Sequence, residues 1–132
     1  MRCIFCIVIV FSLASCLGNR GGLARATADV QQLRDMIQQR NEKLDALIKM
    51  DTSVASGFVT VAGSKKIRDE YMMAVKDNNS AAYHAAIDFN VLQHDIEFLK
   101  NAATKSVSSL PTDQQTGLSA SLDSILKADA RQ

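Results

Sequence analysis

Residues 85–111 read AAIDFNVLQHDIEFLKNAATKSVSSLP. From Ala85, the residues Phe89, Leu92, Ile96, Leu99, Ala103, Ser106 and Leu110 follow at intervals of 4, 3, 4, 3, 4, 3 and 4. Side chains three and four apart share one face of an α-helix, so this alternation predicts an amphipathic helix, the longest regular pattern in the chain. Ser80 is the predicted N-cap. Pro111, the only proline, is where it should stop, because proline cannot continue the hydrogen-bond ladder and disfavours the α region for Leu110.

Upstream lies a second stripe of the same kind. Val30, Leu33, Ile37, Arg40, Leu44 and Leu47 stand at intervals of 3, 4, 3, 4 and 3 and predict a helix from about Thr27 to Met50. Asp29 falls near its positive end. The good helix formers Gln31, Gln32, Gln38, Gln39, Glu42 and Lys43 cover its wet side. Met36, Ile48 and Met50 widen the seam beyond a two-stranded coiled coil, which implies contact with more than one neighbour. Arg40 is the polar interruption, and two readings are open. Its stem can lie on the core while its charge reaches water. Alternatively, Arg40 is a candidate interaction residue at an exposed end of the seam, where a polar residue can specify register in self-association or partner docking.

The remaining segments carry weaker patterns. Asp51 to Ser64 is the hardest stretch to read: Val59, Thr60 and Val61 are β-branched, which mildly disfavours a helix, yet Val54, Phe58 and Val61 keep helical spacing. A second helix bent or broken near Gly63 is the expectation, continuing through Ile67, Tyr71 and Val75 to about Lys76, with turn chemistry at Asp77, Asn78 and Asn79. After Pro111, Thr112 and Gln115 have capping-box spacing, and Leu118, Leu122, Ile125 and Leu126 predict a short helix ending near Asp129. The expected fold is all-α: residues 29–132 form a small antiparallel bundle of three main helices plus a short C-terminal helix, with Leu44, Leu92 and Ile96 deeply buried.

Residues 1–16, MRCIFCIVIVFSLASC, set the expected destination. Arg2, the apolar run from Ile4 to Leu13 and a small-residue junction have the order of a signal peptide over residues 1–15, and the run is too short to span a bilayer comfortably. Leu13, Ala14, Ser15 and Cys16 resemble the lipobox of bacterial lipoproteins. That resemblance covers the leader alone. It implies cleavage before Cys16, lipidation of Cys16 by diacylglycerol with palmitate-type chains, a membrane partner, and residence in the cell envelope or outer membrane. Under a eukaryotic secretory reading, cleavage follows Gly18 or Ala26 and the product is soluble and extracellular. Residues 16–28, small and glycine-rich, read as a flexible tether. All three cysteines, Cys3, Cys6 and Cys16, lie at the leader, so the mature domain has no internal disulfide.

Composition and motifs narrow the function classes. Fifteen Lys and Arg stand against fourteen Asp and Glu, and loss of Arg2 with the leader brings the formal charge to zero, so no long-range field recruits nucleic acid. Lys65, Lys66 and Arg68 form the densest basic cluster; they lack interleaved aromatic residues and read as a solvated helix start. His84 and His94 do not share a helix face. Each has one acidic neighbour at helical spacing, Asp88 and Glu97, fewer ligands than zinc wants. No Glu-x-x-His, G-x-S-x-G or phosphate-cradling glycine motif occurs. The sequence therefore predicts no catalytic residues, metal or cofactor, and not an enzyme. Two classes remain: a lipid-anchored structural or interaction protein with an unidentified partner or self-association, and a soluble secreted helical protein that binds an apolar ligand or host factor. The Ser-Leu-Pro break within Ser108 to Leu118 is similar to one in a group of small cysteine-free helical proteins secreted by nematodes; it carries no function over.

Overall fold

A computed structural model describes residues 18–52, 59–61 and 64–130. In chain order these form α1 (Gly18–Met50), β1 (Val59–Val61), β2 (Ser64–Lys66), α2 (Asp69–Lys76), α3 (Ser80–Ser108) and α4 (Thr112–Ala130). The expected all-α antiparallel bundle is present. Cross-helix pairs fix its directions: Asp29 meets Ser106 and Arg40 meets Gln93, so α1 and α3 are antiparallel. Arg34 meets Ser121 and Arg40 meets Asp129, so α4 runs parallel to α1 along one side of that pair.

Two clusters make the core. The larger joins Val30 and Leu33 of α1 to Ile96, Leu99 and Ala103 of α3 and Leu122 of α4. The smaller, towards the other end, joins Leu47, Ile67, Ala82, Ala86 and Phe89. Ile96 is fully buried as predicted, whereas Leu44 and Leu92 are only partly buried. The buried face of α3 runs through Ala82, Ala86, Phe89, Gln93, Ile96, Leu99, Ala103 and Val107; it shares Phe89, Ile96, Leu99 and Ala103 with the predicted stripe but is rotated slightly, with Ala86, Gln93 and Val107 buried in place of Ala85, Leu92 and Ser106, because α3 must face α1, α4 and the β2 segment together.

The N-terminal boundary requires a correction. Helix α1 begins at Gly18, not near Thr27, so residues 18–28 are helical rather than a flexible tether. Leu23, Ala24, Arg25 and Ala26 are intrinsic helix formers, and Ala26 is 0% exposed within the larger core cluster. A glycine in a helix costs about 1 kcal/mol relative to alanine. The packing around Ala26 offsets that cost, and at Gly22 an added Cβ would stand 3.5 Å from Leu110. The predicted signal peptide and Cys16 lie outside the described residues.

Residues 59–61 and 64–66 overturn the bent-helix expectation. Strands β1 and β2 pair antiparallel with Val59 opposite Lys66, Thr60 opposite Lys65 and Val61 opposite Ser64. The β-branched run takes the conformation its side chains prefer. A two-stranded hairpin is marginal alone; here Asn90 of α3 clamps its exit, accepting from the Ile67 N–H at 2.8 Å and donating to the Ile67 carbonyl at 3.3 Å. The short helix is thus α2, while α4 is a 19-residue member of the bundle. Capping also differs in detail. Asn79, not Ser80, caps α3, accepting from the Ala82 N–H at 3.0 Å. Gln115 donates backward to the carbonyls of Ser108 (3.0 Å) and Leu110 (2.6 Å), satisfying the open end of α3 instead of forming a capping box.

Candidate functional site

Where the α1 seam meets α4, the structure builds an ion cluster around Arg40 and Asp129. Arg40 is 0% exposed and Asp129 5% exposed. The guanidinium donates to the Asp129 carboxylate, to Gln93 Oε1 at 2.8 Å and to Asn41 Oδ1 at 2.8 Å. Lys100 Nζ of α3 stands 2.8 Å from the other Asp129 oxygen and 2.9 Å from Glu97, and Lys65 Nζ of β2 stands 3.3 Å from Asp129. Four elements are therefore tied through one carboxylate.

Both sequence readings of Arg40 are corrected by this arrangement. Its head neither reaches water nor lies at an exposed end of the seam, because a carboxylate and two side-chain amide oxygens meet it inside the bundle. The cue was present in α4: Leu118, Leu122, Ile125 and Asp129 follow at intervals of 4, 3 and 4, so Asp129 sits on an apolar stripe as Arg40 does. Lys65 is likewise corrected. It is buried on a strand, whereas Lys66 pairs with Asp69 at 3.8 Å and Arg68 with Glu70 at 3.5 Å at the surface.

Electrostatics assign the cluster a holding role. Burial alone would push the Asp129 carboxyl up, but hydrogen bonds and charge from Arg40 and Lys100 outweigh it and hold the group well below the usual carboxylate range. Lys100 is moved up: its hydrogen bonds to Asp129 and Glu97 overcome desolvation. Lys65 is moved down, by burial first and by the Arg40 charge second. A carboxylate locked in its ionised form by three cations is a poor proton donor or acceptor near neutral pH.

On the opposite side of the α1–α3 pair lies an open groove of about 830 Å³. Met36, Phe98, Leu99 and Ala102 supply its apolar lining, and Arg25, Asp29, Asp95 and Lys105 its charges. Phe98 is 73% exposed. Phe98 lies off the predicted seam of α3, and the sequence marks it only as a large ring two residues after Ile96; what makes it informative is its place in a concave surface beside Met36, Leu99 and Ala102.

The histidines stay at the surface and bond neither the Arg40–Asp129 cluster nor each other. His94 lies 3.7 Å from Asp95, not against Glu97, and His84 packs edge-on with the Tyr83 ring rather than pairing with Asp88, which meets Lys43 at 3.8 Å. Among the described residues, no group of three or more His, Cys, Asp or Glu is placed to hold a metal ion, and no helix is long and apolar enough to cross a membrane. Compared with protein-family models, curated proteins and solved structures, the chain matches none of them.

Proposed function

We propose that this chain is an exported, non-catalytic binding protein that takes an apolar ligand, or the apolar part of a partner, in the α1–α3 groove. The observation that carries this reading is Phe98, a large ring left 73% exposed beside partly buried Met36 on a concave surface. Burying such a ring is worth roughly 1.5–3 kcal/mol, enough to make it an anchor for a ligand. The rigid α1–α3 pair, tied to α4 and the hairpin through Asp129, presents the groove without prior ordering of a loop, which lowers the entropy lost on binding. Export rests on the leader pattern of residues 1–15.

The test is binding of the uncharged dye Nile red, whose emission rises in apolar surroundings. Phe98→Glu should remove the emission rise while circular dichroism stays unchanged, since an exposed position tolerates substitution within about 0.5 kcal/mol. Unaltered dye binding in that variant would refute the groove as the binding surface.

A membrane-anchored form of the same function rests on the lipobox-like Leu13, Ala14, Ser15 and Cys16. In the chain, Cys16 precedes Gly22 by six residues and Arg25 by nine, so a lipidated Cys16 would keep that end of the groove near the bilayer. Under a soluble reading, cleavage after Gly18 removes only the first residue of α1, whereas cleavage after Ala26 would remove a buried core residue. Incorporation of labelled palmitate that disappears in Cys16→Ala supports the anchored form; an unlabelled, detergent-independent product with its N-terminus at Asn19 refutes it.

A further inference from the structure

We infer that the ligand of the α1–α3 groove is a fatty-acid-like amphiphile, with its carboxylate at Arg25 and Lys105 and its acyl chain along Ala102, Leu99, Phe98 and Met36. This identification rests on the binding role proposed above and adds the chemistry of the ligand to it.

Charge is sorted along the groove. Because α1 and α3 are antiparallel, Arg25 and Lys105 line the end marked by Gly22 and Ser109, whereas Met36, Phe98 and Asp95 line the other end. Neither Arg25 nor Lys105 has an ion-pair partner among the described residues, although Asp29 follows Arg25 by one helical turn. Asp29 instead accepts a hydrogen bond from the Ser106 hydroxyl across the groove. The two cations outnumber that carboxylate, which leaves this end positive. At the far end Asp95 makes the rim negative and repels an anionic head, so a single-headed anion is oriented one way.

Dimensions favour a small molecule of this class. From Lys105 to Phe98 is seven residues and from Arg25 to Met36 eleven, or roughly 10 and 16 Å at the helical rise, the reach of a mid-length acyl chain. The groove volume of about 830 Å³ lies within the ~300–1,000 Å³ common for small-molecule sites. A second copy of the chain fits less well. Stable protein interfaces bury about 1,200–2,000 Å², whereas this groove offers one prominent apolar ring, Phe98, between charges of both signs.

The purified full chain is loaded with Nile red and titrated, below micellar concentrations, with dodecanoate or dodecyltrimethylammonium, equal tails with opposite heads. Dodecanoate should displace the dye at about five- to tenfold lower concentration, the scale of one or two screened charge contacts. In Arg25→Gln/Lys105→Gln the dye should still bind, and the two amphiphiles should become equivalent within about twofold. Equal displacement by both from the unmodified chain, with dye binding that still depends on Phe98, would overturn the headgroup assignment and leave the groove reading standing. Dye binding that ignores Phe98 would instead overturn the groove reading itself. A doubled mass in light scattering that collapses in Phe98→Glu would assign the groove to a second copy. Sedimentation with phosphatidylglycerol vesicles without displacement by dodecanoate would assign the cations to a bilayer. Either result overturns the fatty-acid proposal.

Discussion

Replacing Asp129 with asparagine keeps the side chain's size and removes the charge on which the cluster converges. In the native bundle this carboxylate receives Arg40, Lys100 and Lys65. Lys100, less enclosed, retains Glu97 at 2.9 Å. Arg40, 0% exposed, is left with the neutral oxygens of Gln93 and Asn41. Breaking a buried pair from one side typically costs ~3–5 kcal/mol, because the surviving charge stays desolvated without its counter-charge. Domains of this kind have ~5–15 kcal/mol in all, so Asp129→Asn should shift the urea midpoint by about 2 M and lower Tm by about 10–20 °C. The companion is Arg40→Met/Lys65→Met/Asp129→Leu, which removes the carboxylate and its two most enclosed cations together. Well-packed apolar replacements of buried ion groups are often neutral or stabilising, so this triple variant should be more stable than Asp129→Asn despite carrying more substitutions. A loss below about 1 kcal/mol in Asp129→Asn, the scale of exposed ion pairs, would refute the argument that the carboxylate holds a desolvated cluster. So would a triple variant less stable than the single one.

Other expected outcomes follow from the same geometry. The Asp129 carboxyl is depressed in the fold relative to its ordinary 3.8, so its contribution is present above about pH 4 and is lost as the pH falls further; acid titration of unfolding should be flatter below pH 4 in Asp129→Asn. Tyr71, desolvated and donating to Asp51 at 3.0 Å, is pushed up to about 12 from 10.0. Absorbance titration should show one phenol ionising near pH 12 and vanishing in Tyr71→Phe, and because the fold retains this proton, stability from this group declines between about pH 10 and 12. Ile96→Ala should cost ~2–5 kcal/mol in chemical denaturation, and partly buried Leu92→Ala clearly less; equal costs would contradict the rotated face of α3. Removing the Asn79 cap by Asn79→Ala should cost ~0.5–2 kcal/mol, read from the same melts.

Local periodicity was enough to identify α3, α4 and most of α1, since a face buried along its whole length leaves its period in the sequence. The stop at Pro111 was equally legible, being a property of one residue's backbone. Extension of α1 back to Gly18 was not, because Gly18 to Ala28 is rich in small residues whose weak apolar pattern becomes helical once Ala26 packs in the core with Leu110. The strands at Val59–Val61 and Ser64–Lys66 had propensity in their favour, but their spacing also fitted a helix. Pairing across the hairpin and the Asn90 clamp resolved a choice that local preference left nearly balanced. Arg40 and Asp129 each looked like a single polar flaw in an apolar stripe. Their meaning is a relation between residues 89 positions apart, and only packing of α4 beside α1 makes one the solution to the other. Phe98 belongs to the same class: sequence shows a large ring, but whether it fills a core or lines a groove depends on which side of the α1–α3 pair α4 covers. Sequence alone determined the elements whose stability is local and periodic, whereas the tertiary structure decided every feature in which a side chain's environment comes from a distant part of the chain, because desolvation and charge pairing depend on who the neighbours are in space.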